Sequence, residues 1–238
     1  MTPTELLILI LFAFLPPSIY AIWIRNTERH HREKWKPVIL SFLWGATIAV
    51  IAAIILEIVL DVSLAASFPN YSIFGLSIAI FIAPFAEELT KPLALRTKTV
   101  KKELDELEDG FIYGAVAGLG FSATENLLYG YSFHLQEITF VTFIILMALR
   151  SFGACLLHAS ATALTGYGYG KTIIARTSLV RVIPYFLLAM GVHAFYNFLL
   201  SYPLFGAPAS LLMALGFSVI AIHYVRKRIR ILDATGSS

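Results

Sequence analysis

The chain has 238 residues, of which 58% are hydrophobic and only 14% are charged, whereas soluble domains carry about 25% charged residues. The mean hydropathy is +0.77, which excludes a soluble globular domain and predicts an all-α integral membrane protein. The net charge is only +3, so we expect no nucleic-acid partner. A single cysteine, Cys155, excludes an internal disulfide and a CxxC metal site.

Apolar runs of about 20 residues, the length that crosses a bilayer as a helix, predict seven transmembrane helices. The predicted spans are residues 4–24, 37–60, 71–95, 110–131, 138–168, 180–201 and 207–225. The first run has no basic segment before it, which predicts a retained span and not a cleaved signal peptide. The fifth run is long, so we expect it to tilt or to break near its glycine-rich end at 166–170. Residues 1–230 are expected to form one polytopic membrane domain and 231–238 a disordered tail.

The basic residues predict the orientation of this bundle. Of the 18 Lys and Arg residues, all except Arg150 fall in the first, third and fifth loops or in the C-terminal tail. The opposite loops, near 61–70, 132–137 and 202–206, contain none. By the positive-inside rule we expect the N-terminus outside and the C-terminus inside. We expect the membrane to be the cytoplasmic membrane of a prokaryote.

Four of the predicted spans, the third to the sixth, contain polar side chains that lipid cannot solvate. Ionisable groups inside a membrane cost free energy and usually serve a function. These residues are Glu87, Glu88 and Lys91 on the third span, Glu125 and Asn126 on the fourth, Arg150 and His158 on the fifth, and His193 and Asn197 on the sixth. We therefore expect a shared polar cavity between helices 3, 4, 5 and 6.

The carboxylate pair of the third span has an informative local pattern. Glu87 and Lys91 are four residues apart and so share a helix face, while Glu87 and Glu88 point about 100° apart. Only one of the two is therefore expected to face the cavity, and the other to pair with Lys91 or Arg150. Pro84, three residues before the pair, predicts a kink.

Each of these residues also has an interpretation without function. A Glu87–Lys91 ion pair could mark a helix end at the membrane interface, and His193, Asn197 and His158 could make structural hydrogen bonds between helices. One shared site explains all of them together.

Residue counting leaves one inconsistency in depth. It places Glu87 in the inner half of the membrane but Glu125 and Asn197 in the outer half. The separation is on the order of 15 Å at 1.5 Å per residue. A kink at Pro84, or a later start of the third span, would reduce it.

Two chemistries fit this set of side chains. A buried glutamate can activate water for hydrolysis without a covalent intermediate, with His193 and Asn197 stabilising the oxyanion. Alternatively, Glu87 or Glu88, Glu125 and His193 could hold a divalent metal, although no HExxH motif is present. We favour no cofactor, with zinc as the alternative.

The polar residues also form ordered motifs. The motifs are Glu87-Glu88-x-x-Lys91, Phe121-x-x-x-Glu125 and His193-x-x-x-Asn197. In this order they resemble the PrsW family of intramembrane proteases, and the resemblance covers about residues 71–201. That family is related to the CAAX prenyl endopeptidases and the bacterial CPBP proteins, whose pattern is EExxxR, FxxxH and HxxxN or HxxxD.

The resemblance implies roles for individual residues. Glu87 would be the base that activates water, with Glu88 in support, and His193 and Asn197 would orient water or stabilise the oxyanion. Glu125 stands where the CAAX relatives have a histidine, and this second carboxylate favours a metal or a proton shared between two acids. The expected supporting residues are Lys91, Arg150, His158 and Asn126.

By this resemblance the protein would be an endopeptidase that hydrolyses a peptide bond of a membrane-anchored regulatory protein, such as an anti-sigma factor. Its partners would be that substrate and the lipid bilayer. The alternatives are a zinc-dependent version of the same hydrolysis, a proton-coupled transporter, and a scaffold or immunity factor without turnover. The oligomeric state stays open.

Overall fold

The computed structural model describes residues 2–67, 78–202 and 206–236, and within these ranges the protein consists of helices and their connections. The α-helices are α1 Pro3–Arg25, α2 Trp35–Ser67, α3 Ala83–Thr90, α4 Lys98–Lys101, α5 Leu107–Leu135, α6 Phe140–Ile174, α7 Ile183–Ser201 and α8 Ala207–Gly236. Among the described residues, five of them (α1, α2, α6, α7 and α8) are long and apolar enough to cross a membrane. The prediction of an all-α membrane protein is confirmed at this level.

The third predicted span is described only in part, because residues 71–77 lie outside the described ranges. Its described part begins with a π-helical turn at Ile78–Ile82, continues as α3, and ends in a 3₁₀-helix at Lys91–Arg96. Pro84 lies in the first turn of α3, directly after this π-turn, and it removes an amide donor from the continuous helix. The backbone thus changes from π to α geometry at the place where the kink was expected.

Helix α5 is the centre of the bundle, and its residues from Glu108 to Ala123 are all buried. A methyl group added at Gly114 would lie 2.6 Å from the carbonyl oxygen of Thr162, and one added at Gly118 would overlap the carbonyl of His158. The absence of side chains at these glycines lets α5 and α6 pack backbone against backbone. This close packing brings His158 of α6 to the same level as the polar face of α5.

The expected break of the fifth span at 166–170 is wrong. Helix α6 runs through these residues to Ile174, and its irregularity is instead a π-helical turn at Arg150–Ala154. The glycines serve packing: Gly166 and Gly170 both lie against the backbone of Gly110 in α5. A π-turn widens the helix locally, and such turns are frequent at functional sites.

The last helix, α8, continues to Gly236, through most of the segment expected to be a tail. Asp233 is buried, and its carboxylate accepts hydrogen bonds from the backbone amides of Arg29 (2.9 Å) and His30 (3.1 Å). The end of α8 is therefore anchored to the connection between α1 and α2.

Candidate active site

Lys91 lies at the centre of the polar groups that the spans carry inward. Its Nζ is 2.7 Å from Oε2 of Glu87, 2.9 Å from Oε1 of Glu88 and 2.8 Å from Nδ1 of His158. The side chain is fully buried, and each of the three ammonium protons has an acceptor. The short 3₁₀-helix after α3 thus presents one cation to groups from two helices.

The two adjacent glutamates have different surroundings. Glu87 lines a cavity. Glu88 is fully buried, and its carboxylate accepts a hydrogen bond from Oγ1 of Thr162 (2.9 Å) and lies 3.0 Å from Nδ1 of His193. The expected division, in which one faces the cavity, agrees with this geometry. Glu88 pairs with Lys91, one of the two expected partners, and Lys91 contacts Glu87 as well.

His158 connects this centre to α5. Its Nε2 is 2.8 Å from Oε2 of Glu125, while its Nδ1 faces the ammonium of Lys91. A neutral imidazole with its proton on Nε2 satisfies both contacts, since it donates to the carboxylate and accepts from the ammonium. Glu125 is thereby tied to His158.

Arg150, a basic residue inside the fifth predicted span, is held by three contacts. Its Nη2 lies 3.0 Å from Oε2 of Glu125, its Nε donates to Oδ1 of Asn126 at 3.1 Å, and its guanidinium lies 3.6 Å from the ring centroid of Tyr129. The amide nitrogen of Asn126 in turn contacts Sγ of Cys155 at 3.5 Å. Asn126 thus orients the arginine that neutralises Glu125.

A cavity of about 390 Å³ lies beside these residues. Its polar lining comes from α3, α5, α6 and α7, and includes Glu87, Glu125, Arg150, His158, His193 and Asn197. Its apolar lining includes Leu146, Leu149, Leu200 and Leu211. The polar lining residues can therefore polarise or protonate a bound group, while the leucines suit an aliphatic chain.

The depth inconsistency expected from residue counting is absent from the structure. Glu87, Glu125 and Asn197 line the same cavity, although counting placed them about 15 Å apart at 1.5 Å per residue. The count assumed that every span is a straight α-helix perpendicular to the membrane and that the third span begins at Tyr71, and the convergence of these side chains on one cavity requires neither assumption.

The sequence motifs of the third, fourth and sixth spans thus converge on one buried site. A family model described as "PrsW family intramembrane metalloprotease" matches residues 33–224, well over half of the chain. The chain belongs to the PrsW family. It is accordingly a multi-pass integral membrane protein, in agreement with the location predicted from its composition.

One curated relative supports the assignment to the PrsW family. Protease PrsW of Clostridioides difficile (strain 630) is 33% identical over 125 residues, which is 52% of this chain and 51% of the relative. The chain therefore spans about half the length of the curated relative that it matches. No solved structure matches the chain.

The PrsW site contains a donor set that fits a metal ion. Glu87, Glu88, His158 and His193 each offer one ligand atom, and these four atoms lie within 4.8 Å of one another. Carboxylates and imidazoles are the ligands of catalytic zinc sites. The set differs from the predicted one, because His158 stands in place of Glu125. Lys91 contacts three of the four residues, so a bound metal requires its ammonium to withdraw.

The charges of the site also favour a cation. The carboxylates of Glu87, Glu88 and Glu125 are accompanied by two basic side chains, Lys91 and Arg150. With both histidines neutral, the group carries an excess negative charge in a low-dielectric environment.

Sequence reasoning missed Glu57 of α2. Its strongest charged neighbours are Glu87 and Glu125, so it adds a further carboxylate to the electrostatics of the site. The signal was present, because Glu57 is an ionisable residue inside the second predicted span, 37–60, and the rule applied to the other spans covers it equally.

Proposed function

We propose that this protein is an intramembrane endopeptidase that hydrolyses a peptide bond of a membrane-anchored protein in the cavity lined by Glu87 and His193. The observation that carries the proposal is the buried Glu–Glu–His–His group beside that cavity. Such a group can activate water and polarise a carbonyl, which are the two requirements of non-covalent peptide hydrolysis.

The lining of the cavity supports a membrane-embedded substrate segment. Leucines from α6, α7 and α8 also line this cavity, and they suit the aliphatic side chains of a membrane helix. By likeness to the PrsW family, the substrate would be a regulatory protein of the anti-sigma-factor type.

We favour the metal-dependent form of this hydrolysis over the metal-free form preferred from the sequence. The description of the matching family as metalloproteases and the donor set both support it. His158, His193 and Glu88 would hold the ion, in the two-histidine, one-carboxylate combination of many zinc hydrolases. A zinc ion there would supply Lewis acidity to the scissile carbonyl.

The remaining side chains act on protons and orientation. Glu87 lines the cavity and would accept the proton of the attacking water, then deliver it to the leaving amine. Glu125 accepts a hydrogen bond from Nε2–H of His158, which favours the tautomer whose Nδ1 is free to ligate the metal. Asn197 on the cavity wall would donate its amide to the developing oxyanion.

We also propose that the complete bundle has seven spans, with the N-terminus outside and the C-terminus inside. Helix α5 has 29 residues, or about 43 Å at 1.5 Å per residue, which exceeds the hydrocarbon thickness of about 30 Å. Its burial by neighbouring helices explains why it need not be as apolar as a lipid-facing span. Together with α5, the third predicted span, 71–95, would bring the number of spans from five to seven.

Cleavage in liposomes tests the proposed function. The purified protein is reconstituted with a fluorescently tagged single-span protein of the anti-sigma-factor type, and released fragment is quantified. We expect Glu87→Gln to lower the rate by about 10²-fold or more, since it removes a general base. Glu137→Gln, an exposed carboxylate beyond α5, is the matched control and should cleave normally. Full activity of Glu87→Gln would refute the assignment.

A further inference from the structure

A second group of carboxylates lies at the other end of α5 from the active site. Its members are Glu28 and Glu33 in the connection between α1 and α2, and Glu106, Glu108 and Asp109 at the start of α5. Glu28 is 0% exposed, Glu108 2% and Asp109 1%. Glu108 precedes Glu125 by about 25 Å along the helix at 1.5 Å per residue, so the two groups are separate.

The carboxylates form two triplets that share one member. One oxygen each of Glu28, Glu33 and Asp109 lie within 4.8 Å of one another, and the same holds for Glu28, Glu106 and Glu108. Glu28 therefore joins the two halves of a single acidic cluster.

Two oxygens of this cluster lack hydrogen-bond partners. Oε1 of Glu28 and Oε1 of Glu108 are buried and unpaired within the described part of the chain. By contrast, the other oxygen of Glu28 accepts from the amide of Glu33 at 2.8 Å. Buried carboxylate oxygens without a partner are costly, so these two atoms point to a ligand that supplies positive charge.

The remaining members of the cluster are well ordered by backbone and side-chain donors. Oδ2 of Asp109 accepts from the amides of Asp105 (3.0 Å) and Glu106 (2.7 Å), and the hydroxyl of Tyr113 donates to Glu33. These contacts hold the carboxylates in place before any ligand arrives, which lowers the ordering cost of binding.

Among the described residues, ion pairs with basic side chains reach only one member of the cluster, Glu106. His31 pairs with Glu106 at 3.0 Å, but its side chain is 63% exposed, and Lys34 pairs with Glu103, outside the cluster. Arg25 interacts electrostatically with Glu28 and Glu33, while its Nε donates to the backbone carbonyl of Glu33.

The titration behaviour agrees with this shortage of positive charge. Burial, reinforced by neighbouring carboxylates, raises the pKa of Glu28 to about 8 and that of Glu108 to about 7. Protons therefore occupy part of the cluster near neutral pH when no cation is present.

We propose that this acidic cluster is a second cation site, which binds a hard divalent ion of the Ca²⁺ or Mg²⁺ class. Every ligand that the cluster offers is an oxygen atom. Ca²⁺ and Mg²⁺ prefer oxygen ligands, whereas zinc sites of the Glu–His type also use imidazole nitrogen. Glu106, whose side chain is 25% exposed, connects the buried oxygens to solvent and so gives the ion a path of entry. The ion would tie the α1–α2 connection to the start of α5.

Direct binding to the purified full chain in detergent tests the proposal. After chelator treatment and its removal, the protein is titrated separately with CaCl₂, MgCl₂ and MnCl₂ by calorimetry. We expect saturable binding of at least one of these ions, weakened at least tenfold by Glu28→Gln and by Glu108→Gln. Glu137→Gln is the matched control. Glu87→Gln should bind the ion as the wild type does, which separates this site from the proposed catalytic one.

If the heat of binding is too small for calorimetry, the melting temperature with and without the ion provides a second measurement. The wild type should melt at a higher temperature with the ion than in chelator. Glu108→Gln should melt at least as high as the wild type in chelator, because a buried charge has been neutralised, but should not respond to the ion. No saturable binding of any of the three ions, or undiminished binding by both folded variants, would overturn the proposal in favour of a cluster held by shared protons.

Discussion

At the residue scale, the distinctive feature is that Lys91 and a metal ion would compete for the same atoms. The ammonium contacts Glu87, Glu88 and His158, three of the four residues of the proposed metal set. Lys91 thus acts as an internal counter-ion that keeps two buried carboxylates compensated before metal arrives.

Replacement of Lys91 by methionine separates these two effects. In chelator, Lys91→Met should lose about 3–5 kcal/mol of unfolding free energy, because it leaves a buried charge pair without its partner. With zinc, its stability should recover, and its zinc affinity should exceed that of the wild type at least tenfold. Denaturant unfolding in detergent and competition with a zinc chelator measure the two quantities.

The matched control is Lys34→Met. Lys34 also forms an ion pair with a glutamate, but its side chain is 75% exposed, so Lys34→Met should leave the unfolding free energy nearly unchanged. An unchanged or weaker zinc affinity in Lys91→Met would show that lysine and metal do not compete.

The sequence predicted which residues form the site better than it predicted the contacts between their side chains. The motifs identified Glu87, Glu125 and His193 because ionisable groups within apolar runs stand out. The central position of His158 could not be predicted, because it depends on contacts between α3, α5 and α6 that no spacing within one helix encodes. For the same reason the sequence placed Glu125 among the candidate metal ligands, whereas the donor atoms that cluster in the structure include His158 instead.

At the element scale, glycines determine how closely α5 and α6 approach. Gly118→Ala should destabilise the protein by about 1–3 kcal/mol, because its methyl group would overlap the backbone of His158 and push the helices apart. Gly191→Ala in α7 is the control, since a methyl group there meets nothing within 4 Å. Unfolding in detergent compares the two. Equal stability of both variants would contradict the close packing described above.

The anchor at the end of α8 predicts a pH dependence. Burial opposes ionisation of Asp233, but the amides of Arg29 and His30 outweigh it and lower its pKa. A lowered pKa in the folded state means that this stabilisation is present above the unfolded pKa and is lost as pH falls. The carboxylates of Glu28 and Glu108 nearby carry raised pKa values and give the opposite trend.

Comparison with Asp233→Asn isolates the contribution of this residue. The melting temperature of the wild type should exceed that of the variant at neutral pH, and the difference should shrink only below about pH 5, as the pH falls through the unfolded pKa of about 3.9 and then through the lower folded pKa. A difference that stays constant over this range would rule out the charged anchor.

The helices were largely predictable, but their irregular turns were not. Hydropathy marks apolar runs reliably, so α1, α7 and the starts of α2 and α8 lie close to their predicted bounds. The π-turn at Arg150–Ala154 was unforeseen, and the glycines at 166–170 were taken for a break. Both arise from packing against neighbouring helices, which local sequence does not reveal.

At the scale of the whole molecule, the proposed orientation has a direct test in cells. Cys155 is buried, so cysteines introduced at exposed positions can be labelled selectively. Gln136→Cys should react with a membrane-impermeant maleimide in intact cells, whereas Lys227→Cys should react only after permeabilisation. The reverse pattern would invert the topology.

The central claim is that the Glu–Glu–His–His group of this PrsW-family chain holds a metal ion that its hydrolytic activity requires. Quantification of zinc in the purified protein, paired with cleavage of the tagged single-span protein by the same preparation, tests it most directly. We expect close to one zinc per chain in the wild type, and loss of both zinc and cleavage in His193→Ala. Full cleavage by chelator-treated, metal-free protein would contradict it.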